Sequence, residues 1–267
     1  MDDQRPLRIG LLDDYQRIAP TVDWSPVPRP VEVRSISEHV GEVERLAESL
    51  AGCQVVVAMR ERTPIDAALL DRLPELELLV TTGPSNAAID VAAANERGVV
   101  VSGTGGYLTP TSELTWGLIL ALLRHIPAED RNVRAGGWQH TIGVELAGRT
   151  LGLVGVGRLG TLVARVGTAF GMRVIGWSQN LTPERAAESG VERVDRDELF
   201  ATSDVVSIHL VLSERTRGLV GRRELDAMKP TAVLVNTSRG PIVDEPALVE
   251  ALAEGRIAGA ALDVFDV

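Results

Sequence analysis

Three glycines, Gly155, Gly157 and Gly160, stand in the order Gly-x-Gly-x-x-Gly directly behind the apolar run 151–154. A strand that ends in such a turn and opens into a helix can seat a dinucleotide. Gly155 permits the tight turn, Gly157 lets the backbone approach a pyrophosphate, and Gly160 lets helix and strand pack closely. The free N–H groups and positive dipole end of the helix then favour phosphate charge. The pattern is weak evidence alone, but here a strand-like run precedes it, and Leu159, Val163, Val166 and Phe170 recur at helical spacing after it. About 20 residues past the glycines an NAD site usually places a carboxylate that accepts hydrogen bonds from the ribose hydroxyls. This chain has Ser178 there, in Trp177-Ser178-Gln179-Asn180. A serine does not repel a 2′-phosphate, so NAD and NADP both stay open, with a slight lean to NADP and Arg185 as the nearest downstream cation.

A second constellation follows the apolar run 233–235, where Asn236, Thr237, Ser238 and Arg239 close a strand-like segment. At the C-terminal edge of an open parallel sheet, where ligands bind, a guanidinium suits bidentate capture of a carboxylate. The local spacing fits a solvated loop arginine equally well. The four histidines do not form a metal set, and His39, His125 and His140 fall at helix ends or in loops. Cys53, the single cysteine, allows neither an internal disulfide nor a cysteine metal cluster, and before Val55-Val56-Val57 it reads as a small buried hydrophobe.

The elements that must position these residues form two α/β series. In 1–104, strand candidates at 7–12, 31–36, 55–58, 78–81 and 99–102 alternate with helices at 43–50, 65–73 and 90–96. Thr63 and Pro64 are the expected N-cap and first position of the helix at 65–73, and Gly98 closes the one at 90–96. The remainder, 105–267, starts with an apolar helix from Thr109 to Arg124, which is expected to be buried between domains or subunits. A polar helix at 128–134 and the turn Gly136-Gly137 follow. Then come strands at 151–154, 173–177, 205–209, 232–236 and 258–265, and a helix at 246–254 between Asp244 and Gly255.

The balance of 37 acidic against 27 basic residues, a net charge of -10, gives no long-range attraction to nucleic acid or an anionic membrane. The longest apolar stretch, around 116–123, is far short of the ~20 residues that span a bilayer. The acidic start Met1-Asp2-Asp3-Gln4-Arg5 is unlike a signal peptide, and a cytoplasmic location is expected.

The glycine fingerprint, Ser207-Ile-His209-Leu-Val-Leu, Met228-Lys-Pro230, Asn236-Thr-Ser-Arg239-Gly and Gly259-Ala-Ala-Leu-Asp263-Val-Phe265 come in one order and spacing. Together they resemble the D-isomer-specific 2-hydroxyacid dehydrogenases, glyoxylate and hydroxypyruvate reductases among them, from about residue 50 to the end. The resemblance implies two doubly wound parallel-sheet α/β domains: a flavodoxin-like substrate domain and a Rossmann-like nucleotide-binding domain with its C-terminal part missing. An active site in the cleft between them goes with it.

By that likeness Arg239 is the catalytic residue that orients and polarises a 2-oxo acid, while Thr237, Ser238 and Asp263 contact the nicotinamide half of the cofactor. Arg158 and Leu159 lie over the pyrophosphate, Val211 lies against the adenine side, and His209 is a structural or cofactor-lining residue. Gly83, Pro84 and Ser85 match a loop whose backbone amides hold the substrate carboxylate. The helix from Thr109 to Arg124 matches a subunit contact, so a homodimer is implied.

The family pattern continues past Phe265 through two spacers to Glu-Pro and later to Pro-His, the glutamate tuning a histidine that acts as general acid. Asp266 and Val267 occupy the spacers. The 267-residue chain is therefore expected to bind a nicotinamide nucleotide but to lack its acid, which forfeits ~10²–10⁴-fold in rate. A nucleotide-sensing, corepressor-like interaction protein resembles the same family, though the acidic composition and the lack of a basic or aromatic extension oppose it. Formate- or phosphite-type dehydrogenases share the fold as well.

Overall fold

The computed structural model describes residues 5–265. The expectations resting on Met1 to Gln4 and on Asp266 and Val267 lie outside the described residues. The chain divides into two compact units, one through Gly106 and one from Tyr107 onward.

The first unit is a five-stranded parallel sheet. Its elements are β1 (Leu7–Leu11), β2 (Val31–Ser35), α1 (Val43–Leu50), β3 (Val55–Ala58), α2 (Ala67–Leu70), β4 (Leu78–Thr81), α3 (Val91–Glu96) and β5 (Val100–Gly103). The order β2-β1-β3-β4-β5 is the flavodoxin-like one, with its switch point between β1 and β3. Ile9 lies opposite both Val33 and Val55. Leu46 and Leu50 of α1 and Leu69 of α2 bury their side chains with Val56 and Leu79 of the sheet. Cys53 is buried in the same core, and burial pushes its thiol up, as expected of a small hydrophobe.

The helix expected at 65–73 is cut to four residues, and its cap is not Thr63. Ile65 N–H donates to Ala88 O and Asp90 N–H to Ile65 O, at 2.8 and 2.9 Å, so a bridge to Ile89 holds this backbone extended. Asp66 caps the helix instead, accepting from Leu69 N at 3.0 Å. Thr63 is drawn off to Asp13 Oδ2 at 2.7 Å.

Asp13 and Asp14, at the C-terminal end of β1, are buried carboxylates for which no role was expected. Asp14 accepts from Ile18 N (2.7 Å), Ala19 N (3.2 Å) and Ser35 Oγ (2.6 Å), tying the β1 exit to the end of β2. Burial pushes its carboxyl up, but Ser35 and the two amides outweigh this and hold it below the usual range.

The second unit begins with α4 (Thr109–Leu123) and α5 (Ile126–Arg134), then runs β6 (Thr150–Val154), α6 (Arg158–Ala169), β7 (Arg173–Trp177), α7 (Pro183–Glu188), β8 (Glu192–Arg193) and α8 (Arg196–Thr202). It continues with β9 (Val205–Ile208), α9 (Arg222–Ala227), β10 (Val233–Asn236), α10 (Glu245–Ala253) and β11 (Gly259–Leu262). The order β11-β10-β9-β6-β7-β8 is the Rossmann order, and its switch point lies between β6 and β9. Asp244 caps α10 through Ala247 N at 3.1 Å, as read from sequence. The last strand stops at Leu262 rather than at 265, because β10, its one partner, ends at Asn236.

One helix face differs from the expected one. In α6 the buried residues are Gly160, Val163, Ala164 and Gly167, while Val166 and Phe170 are more than a third exposed. Two of the four are glycines, which an apolar periodicity does not register: a Cβ on Gly167 would meet Leu151 Cδ2 at 2.8 Å. In α4, Ser112, Thr115, Trp116, Ile119 and Leu123 are buried inside the unit, in the core shared with α6 and the sheet, with the Trp116 ring 5.1 Å from that of Phe170. Among the described residues no helix is long and apolar enough to cross a membrane.

Asp14→Ala leaves two amides and a hydroxyl without their acceptor, and is expected to destabilise the protein by about 3 kcal/mol. Urea unfolding measures this, and a change under about 0.5 kcal/mol, the range of an ordinary surface substitution, would contradict the role assigned to the carboxylate.

Candidate functional site

The exits of β6, β7 and β9 converge at the switch point of the second sheet. Gly155, with φ at 108°, turns the chain out of β6. A Cβ here would sit 2.6 Å from His209 O, and a Cβ on Gly160 would run into Gly155 O. Backbone, not a movable side chain, blocks both positions, so the turn requires glycine twice. Gly157 differs: it is the N-cap of α6, extended at φ -102°, and nothing lies within 4 Å of where its Cβ would be. The open space before the first turn of α6 is what a pyrophosphate needs in order to reach the backbone amides.

That space is a cavity of about 210 Å³. The glycine turn forms one wall through Gly155 and Gly157. The segment after β7 forms the second through Ser178, Asn180 and Arg185, and His209 and Val211 after β9 form the third. Of the residues read from sequence, Gly155, Gly157, Ser178 and Val211 thus line one pocket. Arg158, Leu159 and Gly160 adjoin it as the first turn of α6. Asn180, Leu181 and Leu210 also line it; Asn180 and Leu210 stand in the quoted segments without an assigned role, and Leu181 in none.

The β10 exit is held separately. Asn236 works twice, its Oδ1 accepting from Ser238 N and its Nδ2 donating to Arg239 O, both at 3.0 Å. Ser238 Oγ donates to Leu210 O at 2.8 Å, tying this exit to that of β9. Thr237 Oγ1 meets Thr115 Oγ1 of α4 at 2.9 Å. Arg239 Nη1 donates to Ser238 O at 2.8 Å, which folds the guanidinium back over its own strand end. Asp263 N–H donates to Asn236 O at 3.0 Å, so the β11 exit is joined to the same residue.

In the first unit, Gly83 is buried at φ 114°, and Pro84 and Ser85 are exposed. The Gly83 N–H already donates to Thr104 Oγ1 at 2.8 Å. Asn86 fixes the loop by accepting from Ala88 N at 2.9 Å and donating to Thr81 Oγ1 at 3.1 Å.

His209 is the one strongly perturbed group at the pocket. Its Nε2 pairs with Ser207 Oγ at 2.9 Å, while its Nδ1 is buried without a partner among the described residues. Desolvation lowers its pKa from 6.5 to about 4, so the ring is neutral near pH 7. It is a wall of the cavity rather than a charge in it.

Residues 116–267, more than half of the chain, match the sequence model described as D-isomer specific 2-hydroxyacid dehydrogenase, NAD binding domain. The chain is 46% identical over 212 residues to a glyoxylate reductase of Aeropyrum pernix, covering 76% of this chain and 63% of that protein. It is 41% identical over 212 residues to a glyoxylate reductase of Thermococcus litoralis, covering 76% and 64%. The chain thus spans just under two thirds of the length of these relatives. The solved structure of a phosphoglycerate oxidoreductase from Vibrio cholerae superposes with a TM-score of 0.93 at 36% identity, covering 98% of this chain and 84% of that one.

A histidine with a depressed folded-state pKa stabilises the fold fully above its unfolded pKa and loses that contribution as pH falls from 6.5 towards about 4. The loss is expected to reach at most about 3 kcal/mol, at 1.36 kcal/mol per pKa unit. His209→Gln should lose correspondingly less between pH 6.5 and 4.5. Urea midpoints that fall in parallel for both proteins would exclude His209 as the titrating group.

Proposed function

The chain belongs to the D-isomer-specific 2-hydroxyacid dehydrogenases, and on that premise we propose that it transfers a hydride between a nicotinamide dinucleotide and a small 2-oxo or D-2-hydroxy acid. The observation that carries this reading is the glycine turn. Two of its glycines are blocked by backbone, and the third opens on the cavity at the switch point. When bound, a reduced nicotinamide would supply the hydride to carbon 2 of a 2-oxo acid, and a proton taken from water at the carbonyl oxygen completes the hydroxy acid.

The remaining work falls to the chain. The amides at the start of α6 hold the pyrophosphate, with Arg158 and Leu159 over it, and Val211 closes the adenine side. Thr237, Ser238 and Asp263 hold the nicotinamide half. Arg239 orients the substrate carboxylate and polarises the carbonyl, for which a planar guanidinium with several donors is suited. In the loop of Gly83, Pro84 and Ser85, the engagement of the Gly83 amide by Thr104 leaves the Ser85 amide as the better-placed donor for a carboxylate. Ser178 offers a hydroxyl where a carboxylate would exclude a 2′-phosphate, which favours NADP.

Calorimetry with each nucleotide, and titration of the nucleotide-loaded 267-residue chain with oxalate as a 2-oxo acid mimic, test this reading together with glyoxylate-dependent oxidation of NADPH at 340 nm. Arg239→Gln is expected to weaken oxalate by about 10²-fold, the value of a bidentate charged contact. A wild-type chain that binds neither nucleotide would sink the proposal.

We also propose a homodimer. None of the residues of α5 is buried in the single chain, yet nine-residue helices are marginal on their own. Ile126 and Val133 are each 53% exposed, and Trp138 and Ile142 in the segment that follows are 84% and 92% exposed. Asp130 is paired with Arg134 within the helix, which leaves the apolar groups as the contact, and two copies packed antiparallel about a two-fold axis would match Ile126 to Val133. Sedimentation equilibrium is expected to give twice the chain mass, and Trp138→Ser with Ile142→Ser to halve it. A monomeric wild type at micromolar concentration would contradict the assembly.

A further inference from the structure

The nucleotide pocket contains a cation that the glycine turn and Ser178 leave without a task. Arg185 stands in α7, seven residues past Ser178, and lines the same cavity as Ser178 and Asn180. Nearby arginines of this unit are engaged. Arg173 pairs with Glu192 at 2.7 Å, Arg193 Nε donates to Leu181 O at 3.0 Å, and Arg196 pairs with Glu224 at 2.8 Å. Among the described residues the Arg185 guanidinium makes neither an ion pair nor a hydrogen bond; only its backbone N–H is used, on Thr182 Oγ1 at 3.3 Å. The cap from Thr182 fixes the start of α7, and Arg193 holds the Leu181 carbonyl, so the chain leading into Arg185 is anchored at two successive residues.

We infer that Arg185 is the residue that reads the 2′-phosphate of NADP, with the Ser178 hydroxyl and the Asn180 amide as neutral donors beside it. The inference rests on the nicotinamide-nucleotide reading above. It assigns the selectivity of that site to one side chain which no spacing rule places, since the residue directly after Ser178 is Gln179. A phosphomonoester carries about -1.5 to -2 charges near neutral pH and three strong acceptor oxygens. A hydroxyl and an amide can satisfy some of those oxygens but cannot balance the charge. A guanidinium with its donors unspent can do both. NADH presents only a ribose hydroxyl at this point and gains little from the cation.

The test compares the full chain with Arg185→Gln and Arg185→Lys, using calorimetry with NADPH, NADH and the fragment 2′,5′-ADP. The wild type is expected to bind NADPH more tightly than NADH. Arg185→Gln should lose about tenfold to hundredfold in affinity for NADPH and for 2′,5′-ADP, as for one hydrogen-bonded charge, and stay within about threefold for NADH. Arg185→Lys should recover part of the loss, because charge is restored without the planar fork. Equal weakening of NADPH and NADH by Arg185→Gln would overturn the inference by making Arg185 a wall of the pocket. A wild type that prefers NADPH, with Arg185→Gln unchanged, would overturn it and leave the NADP reading standing. A wild type that binds NADH as tightly as NADPH would overturn both.

Discussion

The close approach of two strand exits governs the second unit. Gly155 lies against His209 O and Gly160 against Gly155 O, with no room for a Cβ on either, which brings the β6 turn, the first turn of α6 and the β9 exit to one point. An added side chain would separate them and remove the convergence of amides that favours a phosphate. Much else follows from this contact. β9 must lie next to β6, which sets the switch point, and Ser238 Oγ can then reach Leu210 O and bring the Arg239 strand end to the same edge. Burial of the neutral His209 ring is part of the same close packing.

Ligand charge is met locally. The chain carries a net charge of -10, which opposes an anionic nucleotide at long range, but exposed charges farther apart than about 8–10 Å are largely screened at physiological ionic strength. Within that range several acidic groups of the second unit are matched. Asp197 pairs with Arg223, Glu192 with Arg173, Glu250 with Arg222, and Asp204 with Lys229. Such exposed pairs add little stability. Their consequence is that these carboxylates are balanced within their own pairs, and oriented amides and single guanidinium groups act on a ligand at the sheet edge.

What could be read from the amino-acid sequence follows the range of each signal. The glycine fingerprint, the apolar runs of the central strands and the cap of α10 are written in contiguous residues, and each is found where its spacing places it. Features decided by a distant partner were not legible. The helix expected at 65–73 was shortened because Ile65 pairs with Ile89 and Thr63 is claimed by Asp13. The buried side of α6 was displaced because two of its four buried residues are glycines. Short elements such as β8 and α7 lack the length for periodicity to be seen. Asp13 and Asp14 did leave a trace, a doubled carboxylate ending an apolar run, but its meaning needed Ser35, Ile18 and Ala19 as partners.

The two sheets then illustrate why an edge, rather than a motif, is the unit of function. Both are open parallel sheets with a switch point, and in both the strand exits are fastened by short polar side chains: Asp13, Asp14 and Asn86 in the first, Asn236 and Ser238 in the second. Each such side chain satisfies backbone groups that the sheet cannot, because a parallel ladder leaves the last N–H and C=O of every strand unpaired. Fastening leaves certain donors spoken for, as with Gly83 N–H on Thr104, and others unspent, as with the guanidinium of Arg185. Recognition gains most from the unspent ones, since a donor already satisfied inside the protein must give up that partner to take a ligand. The residues that matter at such an edge are thus found by accounting for every polar group there and asking which remain.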